Sequence, residues 1–232
     1  MFNYNVGRTM NKKKVIIASI LFNFFLLEKS ICEPIQLAKD VEVSFSAEYM
    51  SRYIYRGIDQ NKDRSTASVS ANLSLPAGIY IGTWISEADY GGSSQEVDLY
   101  FGINQSYKDL NFDISYLEAR YPGKKLVNVG EYNFKLVYQP NGSPVRIGYY
   151  FALEDTAEAV GSDFKEYSVG YDFKNFNLLA TYGDWDAINK TKTISVSKSF
   201  EHFDVKISHI ITNNDSDIAD ETFNTVTIIK TF

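Results

Sequence analysis

Ionisable side chains recur on the polar side of alternating stretches from Glu42 to Lys206, with no nucleophile and base placed together among them. Arg52, Asp98, Asp113, Glu131, Lys135, Arg146, Glu166 and Asp172 are the candidates for lining a pore, and Glu42, Glu48, Asp204 and Lys206 share the same faces. Eight of these twelve are acids and four are bases. Fixed charges spaced in this way do the chemistry of selection, drawing in ions of one sign and repelling the other. The surplus of acid predicts a preference for cations. Arg52 and Arg56, with Tyr53 and Tyr55, are expected at the mouth. The competing reading is that acids and bases pair across a narrow barrel and fill it.

Catalytic chemistry finds little support. His202 falls in a tight turn, and His209 shares an apolar face with Val205 and Ile207. A lipase-type hydrolase needs a serine and a histidine together. Ser115 with His209 is the pair to test, and no catalytic residue is assigned. Acids also crowd the long links: Glu87, Asp89 and Glu96, then Glu154, Asp155, Glu158 and Asp163, then Asp215, Asp217, Asp220 and Glu221. Divalent cations take oxygen ligands from such loops. However, the NNDSDIAD run lacks the glycine and the terminal glutamate of a calcium loop, so a solvated acidic surface is the preferred reading. No metal or cofactor is called.

These side chains are positioned by strands. Apolar residues alternate with polar ones at Val97, Leu99, Phe101 and Ile103, and again at Tyr132, Phe134, Leu136 and Tyr138. The pattern returns at Val145, Ile147, Tyr149 and Phe151 and at Tyr167, Val169, Tyr171 and Phe173. Period two places the two sets on opposite faces of a strand. Tight links at 76–78, 108–109, 140–143, 174–175 and 201–202 each join two such runs as a hairpin. Longer polar links fall near 57–65, 87–95, 118–128, 154–163, 184–191 and 212–221. Five turns and six loops join twelve strands.

The 232 residues are 44% hydrophobic and 22% charged, which excludes a disordered chain. The apolar run Val15–Leu27 is too short for a spanning helix, which needs roughly 20 residues. With 17 Tyr and 16 Phe against 2 Trp, the aromatic content suits strands. Lys12, Lys13 and Lys14 precede the apolar run and Ser30-Ile31-Cys32 follows it, the order of a secretory signal over residues 1–32. Translation is expected to start at Met10. Lipid modification of Cys32 is the rival reading, and Lys29 and Ile31 fit it poorly. The net charge of −6 includes five cations against one anion in those 32 residues. The remainder, 18 positive against 28 negative, carries −10, which argues against nucleic acid as a partner.

A β sandwich also alternates, so period two does not choose between sandwich and barrel. Three features favour an all-β transmembrane antiparallel up-and-down barrel over residues 33–232. Short and long links segregate to opposite ends. The polar faces are rich in Ser, Asn, Gly and Tyr. The last strand, TFNTVTIIKTF, ends on Phe232, an aromatic of the kind read by barrel insertion machinery. In hydrocarbon every backbone group must be paired, so the first strand must meet the last. Tyr49, Tyr53, Tyr55, Tyr80, Trp84, Tyr107, Tyr138 and Tyr182 are expected at headgroup level, with the lumen as the alternative.

The segments AEYMSRYIYRGIDQ, GIYIGTWISEADY and EVDLYFGINQSY resemble the TorF porin family of Gram-negative bacteria, and LNFDISYLEARYPG and EYSVGYDF extend the likeness more loosely. Asp59 stands where that pattern commonly has a small polar residue. The resemblance implies an outer-membrane pore without catalytic residues or cofactor. The expected function is passive diffusion of small hydrophilic solutes or ions. The alternative is a closed barrel with a structural or adhesive role through its acidic loops. Expected partners are outer-membrane lipids with lipopolysaccharide, the insertion machinery and the solutes themselves; a homo-oligomer is compatible with the sequence.

Overall fold

Alternation of apolar and polar residues builds strands whose two faces meet different solvents, and such strands have one arrangement that leaves no unpaired edge: a closed barrel. The computed structural model describes residues 34–89, 93–123, 128–155, 163–215 and 219–232. The signal expected over residues 1–32, with Met10 and Cys32, lies outside them, as do Glu158 and Asp217.

The short β1 (Ile35–Ala38) leads into β2 (Val41–Met50), which is followed by the two-residue strands β3 (Ile54–Tyr55) and β4 (Ile58–Asp59). Then come β5 (Thr66–Ser74), β6 (Ile79–Glu87), β7 (Gln95–Tyr107), β8 (Leu110–Arg120) and β9 (Val129–Tyr138). The chain continues through β10 (Val145–Glu154), β11 (Phe164–Asp172) and β12 (Asn177–Trp185). It ends with β13 (Asn189–Ser199), β14 (Asp204–Asn214) and β15 (Glu221–Thr231). From β5 to β15 each strand pairs antiparallel with the next, and β2 pairs with both β5 and β15. Twelve strands, all except β1, β3 and β4, therefore close on themselves. The expected fold is the observed one.

The seam has a detail that alternation does not predict. β15 meets only the Ser46–Met50 half of β2, and Phe45 and Phe232 exchange backbone hydrogen bonds at 3.1 and 2.7 Å. Beyond Phe232, β1 folds back and pairs Ile35 with Val43 on the same edge. The part of β2 that β15 does not reach is thus still hydrogen-bonded.

Outward positions are apolar and exposed. Leu99, Phe101 and Ile103 on β7 and Ile194 and Val196 on β13 are among them, with Phe101 at 58%. A continuous belt of this kind has no counterpart on a water-soluble monomer and fits hydrocarbon. Tyr49, Tyr107, Tyr138 and Tyr182 also face outward and are exposed. Trp84 and Tyr80 instead share inward rows with Ser70, Asp98, Ser74 and Gly102. Tyr53 packs on Trp84 at 5.4 Å between ring centres, and Tyr55 lies against Trp185. Four of the eight aromatics expected at headgroup level are therefore in the lumen.

The five tight turns lie where the spacing predicts; at the other end longer links join β6 to β7, β8 to β9, β10 to β11 and β14 to β15, and the link from β2 to β5 carries β3 and β4. The sixth, 184–191, differs. Asn189 to Asn214 and Trp185 to Asn189 are paired, so only Asp186, Ala187 and Ile188 form the turn. The polar composition of this stretch marks strand residues that stand above the apolar belt, which reads as a loop in the sequence.

Candidate functional site: a hairpin across the outer mouth

Residues 51–65 join β2 to β5, yet they fold inward instead of standing above the barrel. The link contains Tyr55-Arg56-Gly57-Ile58, in which Tyr55 pairs with Ile58 and Ile54 with Asp59 around a two-residue turn. Both turn residues have positive φ, 47° at Arg56 and 85° at Gly57, as a type I′ hairpin requires. Gly57 tolerates this conformation; for Arg56 it is uncommon. A Cβ on Gly57 would come within 2.5 Å of Thr191 Cγ2 and Thr212 Oγ1. The turn is therefore pressed against β13 and β14.

Apolar side chains hold the hairpin inside. Tyr55 and Ile58 pack with Tyr150 and Ile188 on a small core of Ala152, Phe164 and Trp185, contributed by β10, β11 and β12. The strands that carry the hairpin, β2 and β5, lie on the opposite wall in the strand order. The link thus bridges the bore. At its base, the Ser51 amide donates to the Val226 carbonyl at 2.8 Å, and the Asp89 amide donates to the Gln60 carbonyl at 2.8 Å.

Arg56 ends in a cage. Its Nη1 and Nη2 donate to Glu131 Oε1 and Oε2 at 2.6 and 3.1 Å, a bidentate pair. Nη2 also donates to the Tyr150 hydroxyl at 3.2 Å, and the Tyr55 hydroxyl donates to Glu131 at 3.3 Å. The guanidinium carbon lies 4.4 Å from the ring centre of Phe164, 4.8 Å from Tyr55, 5.2 Å from Trp185 and 6.0 Å from Tyr150. The side chains of Arg56 and Glu131 are 4% and 5% exposed. Removing one partner of such a buried pair typically costs about 3–5 kcal/mol.

The outer part of the link is clamped by charge. Lys62 Nζ and Arg64 Nη2 donate to the two oxygens of Asp89 at 2.9 and 2.8 Å. The hydrogen bond from Lys62, reinforced by Arg64, holds the Asp89 carboxyl below its usual range. Asp59 takes the amides of Asn61 and Asp63 at 2.9 Å each, so this departure from the resembled pattern shapes the loop itself.

Below the hairpin lies a cavity of about 370 Å³. One wall is hydroxyl-rich, with Thr193, Ser195, Ser208 and Thr225, and Glu48, Glu166 and Lys206 contribute charge. On the β5–β8 side two tyrosines, Tyr80 and Tyr100, reach into the lumen with ring centres 6.4 Å apart. Tyr100 donates to Asn72 Oδ1 at 2.5 Å and Tyr80 to Asp113 Oδ1 at 2.9 Å. Gly82 permits this, because a Cβ there would stand 2.5 Å from the Tyr100 ring.

By strand register, Asp98, Asp113, Glu131, Lys135, Arg146, Glu166 and Asp172 all fall on inward positions. They are not equivalent. Glu131 is taken by Arg56, and Arg146 pairs with Asp172, which also accepts from Gln139 at 2.9 Å. Asp98 Oδ1 and Glu96 Oε2 are buried without a hydrogen-bond partner. Arg52 reaches the lumen by another route: β2 ends at Met50, so it is carried by the link and not by an inward strand position. It lies in the link, where it lines the cavity, pairs with Asp63 at 2.5 Å and sits 5.8 Å above Phe223. Glu96 was read as a loop acid and is inside the barrel. The arginine and glycine of Arg56-Gly57, flanked by Tyr55 and Ile58, are the local signal for the inward hairpin.

Ser115 is on an inward row with Gly102 and Asn133, while His209 is on the outward row with Ile194 and bonds Asn224 at 2.9 Å. β8 and β14 are six strands apart around the barrel, so the two side chains do not meet. Near the loops some described acids pair with bases, Asp215 with Lys190 and Glu118 with Arg120 at the strand ends, while Asp220 accepts from Asn213 and from the Asn214 amide.

A family described as "Bacterial protein of unknown function (Gcw_chp)" matches residues 36–232. No curated protein matches the chain in sequence. Similar solved structures include the KdgM porin, with TM-score 0.55 and 7% identity, over 82% of this chain and 98% of that one. The KdgM porin in complex with disordered oligogalacturonate gives TM-score 0.54 and 9% identity over the same shares of each chain. OpdQ of Pseudomonas aeruginosa gives TM-score 0.51 and 9% identity, over 86% of this chain and 69% of that one. At these identities the likeness shows a common porin fold.

Proposed function

This chain belongs to the Gcw_chp family, and we propose that it is an outer-membrane porin-like channel that passes small hydrophilic solutes, with a mild preference for cations. The apolar belt supports a barrel in the outer membrane of a Gram-negative bacterium; in this reading residues 1–32 act as the export signal and the Phe232 strand is what the insertion machinery reads. The resemblance of AEYMSRYIYRGIDQ to the TorF family supports the same reading.

The observation that carries the proposal is the contrast between the two faces. Outward rows are hydrocarbon, whereas inward rows are hydroxyls and charges around a cavity of about 370 Å³. Acids outnumber bases on these rows. The KdgM porin is recorded with an acidic oligosaccharide. An acidic lumen disfavours such solutes here and favours neutral and cationic ones. Conductance of the refolded barrel in planar bilayers, with salt gradients across it, tests this. Stable steps with a cation-side reversal potential are expected; anion preference would refute the charge assignment.

A second reading is favoured by the hairpin itself. Residues 51–65 bridge the bore, so a closed barrel acting through its outer loops fits the same geometry. A folded barrel that stays silent in bilayers, even with the hairpin removed, would select it.

A further inference from the structure

Arg56 occupies a place built as a receptor. A planar guanidinium presents forked donors that match a carboxylate edge-on and a flat face that stacks on aromatic rings. Glu131 supplies the edge, with both oxygens within 3.1 Å of Arg56 nitrogens. Tyr55, Tyr150, Phe164 and Trp185 supply the faces. Glu131, Tyr150, Phe164 and Trp185 belong to long strands of the barrel wall, whereas Arg56 and Tyr55 are carried by a hairpin whose strands have two residues each. The carboxylate and three of the four ring faces are thus contributed by the wall, and the guanidinium reaches them on a separate arm of the chain.

Two further observations point the same way. Arg56 sits at φ 47°, a conformation that a non-glycine residue adopts at a cost, so the arm is held by what its tip binds. The cage is also continuous with the cavity, since Tyr55, Arg56, Tyr150 and Phe164 line both. A solute whose cationic head replaced Arg56 would have about 370 Å³ for its remainder, lined by hydroxyls, by the acids Glu48 and Glu166 and by the bases Arg52 and Lys206.

We propose that the Glu131 cage is a binding site for guanidinium-bearing organic cations, and that Arg56 is a tethered internal ligand which such solutes displace to open the mouth. The proposal rests on the channel reading and names its solute class. Glu131 recognises the head by paired hydrogen bonds, the rings stack on its flat face, and a neutral head is rejected because it would leave the buried carboxylate without a counter-charge. Departure of Arg56 releases the hairpin from the wall, which ties entry of the solute to opening.

The test uses the refolded full barrel carrying Trp84→Phe, so that Trp185 in the cage is the fluorescent reporter, combined with Arg56→Ala. Arg56→Gln replaces the alanine variant should the latter not reach a heat-modifiable folded form. Methylguanidinium is titrated against Trp185 emission, with N-methylurea as the neutral isostere and tetramethylammonium as a cation without the fork. Saturable change with methylguanidinium, at least tenfold weaker with tetramethylammonium and absent with N-methylurea, is expected. In the chain that retains Arg56 the same curve moves to at least tenfold higher concentration, because the tethered group competes. No saturable change in the Arg56 variants, or equal responses to the three probes, overturns the proposal. Bilayer conductance of the same variants separates the two readings. Binding without conductance refutes the channel and leaves the site, whereas conductance without binding refutes the site and leaves the channel.

Discussion

The Thr212 hydroxyl donates to the Gly57 carbonyl at 3.2 Å, joining a loop residue to a strand residue 155 positions away in the sequence. This bond ties the tip of the hairpin to β14, and Arg56 beside it ties the tip to β9. The outer mouth is therefore bridged from wall to wall by a segment of the chain that has no long strand of its own.

The Gly57 contact predicts the effect of adding one carbon. Gly57→Ala places a methyl 2.5 Å from Thr191 Cγ2 and Thr212 Oγ1, in a backbone conformation that alanine disfavours. The hairpin tip leaves the wall while the twelve-stranded ladder stays intact. Single-channel conductance in planar bilayers should rise about twofold or more, and the heat-modifiable electrophoretic mobility should not change.

Acid should loosen the base of the hairpin. Asp89 has its carboxyl lowered by the hydrogen bond from Lys62, with Arg64 adding to it. A lowered value in the folded state means that the clamp contributes fully above the ordinary carboxylate value of about 4, and is lost as pH falls through the lowered value. A spin label on Ser65→Cys should stay ordered from neutral pH to below about 4 and then become mobile. With Asp89→Asn the label should be mobile at every pH.

Charge selection should depend on which acid is unpaired. Glu48 lines the cavity and accepts from the Ser68 hydroxyl at 3.1 Å, whereas Asp172 is offset by Arg146. Glu48→Gln should therefore cut the cation-to-anion permeability ratio by about twofold, with Asp172→Asn having the smaller effect. Reversal potentials in a tenfold salt gradient distinguish the two. Equal effects would mean that the Arg146 pair does not neutralise Asp172 in the lumen.

The wall that carries Tyr80 and Tyr100 should reveal its dependence on a missing side chain. Gly82→Ala puts a methyl 2.5 Å from the Tyr100 ring and from Asn72 Oδ1, and overpacking of this kind costs about 1–3 kcal/mol. Urea unfolding in lipid vesicles should show that loss. Tyr100→Ala combined with Gly82→Ala should recover part of it, a coupling that independent sites would lack.

Much of this molecule is written locally. Alternation such as Leu99, Phe101, Ile103 against Asp98, Tyr100, Gly102 assigns each residue to a wall face, because successive side chains of a strand point to opposite sides. The tight turns at Lys108-Asp109 and Glu201-His202 then order the strands as a meander. That information needs no more than a few neighbouring residues, so it survives in the sequence. The stretch 184–191 reads as a loop for a related reason, since polar composition marks departure from the lipid belt and not the end of a strand.

The direction taken by residues 51–65 was decided only in the closed barrel. Arg56 meets Glu131 from 75 positions away, and its aromatic partners come from three different strands of the opposite wall. No period within the segment records those contacts. They exist because closure brings β9 to β12 across the bore from β2 and β5, where a buried cation finds a carboxylate and four ring faces together. The sequence by itself determined the strands, their faces and the acidic lumen. Tertiary closure alone determined that the arginine expected at the rim of the mouth lies inside it, since burying a guanidinium is favourable only where its partners have already been assembled.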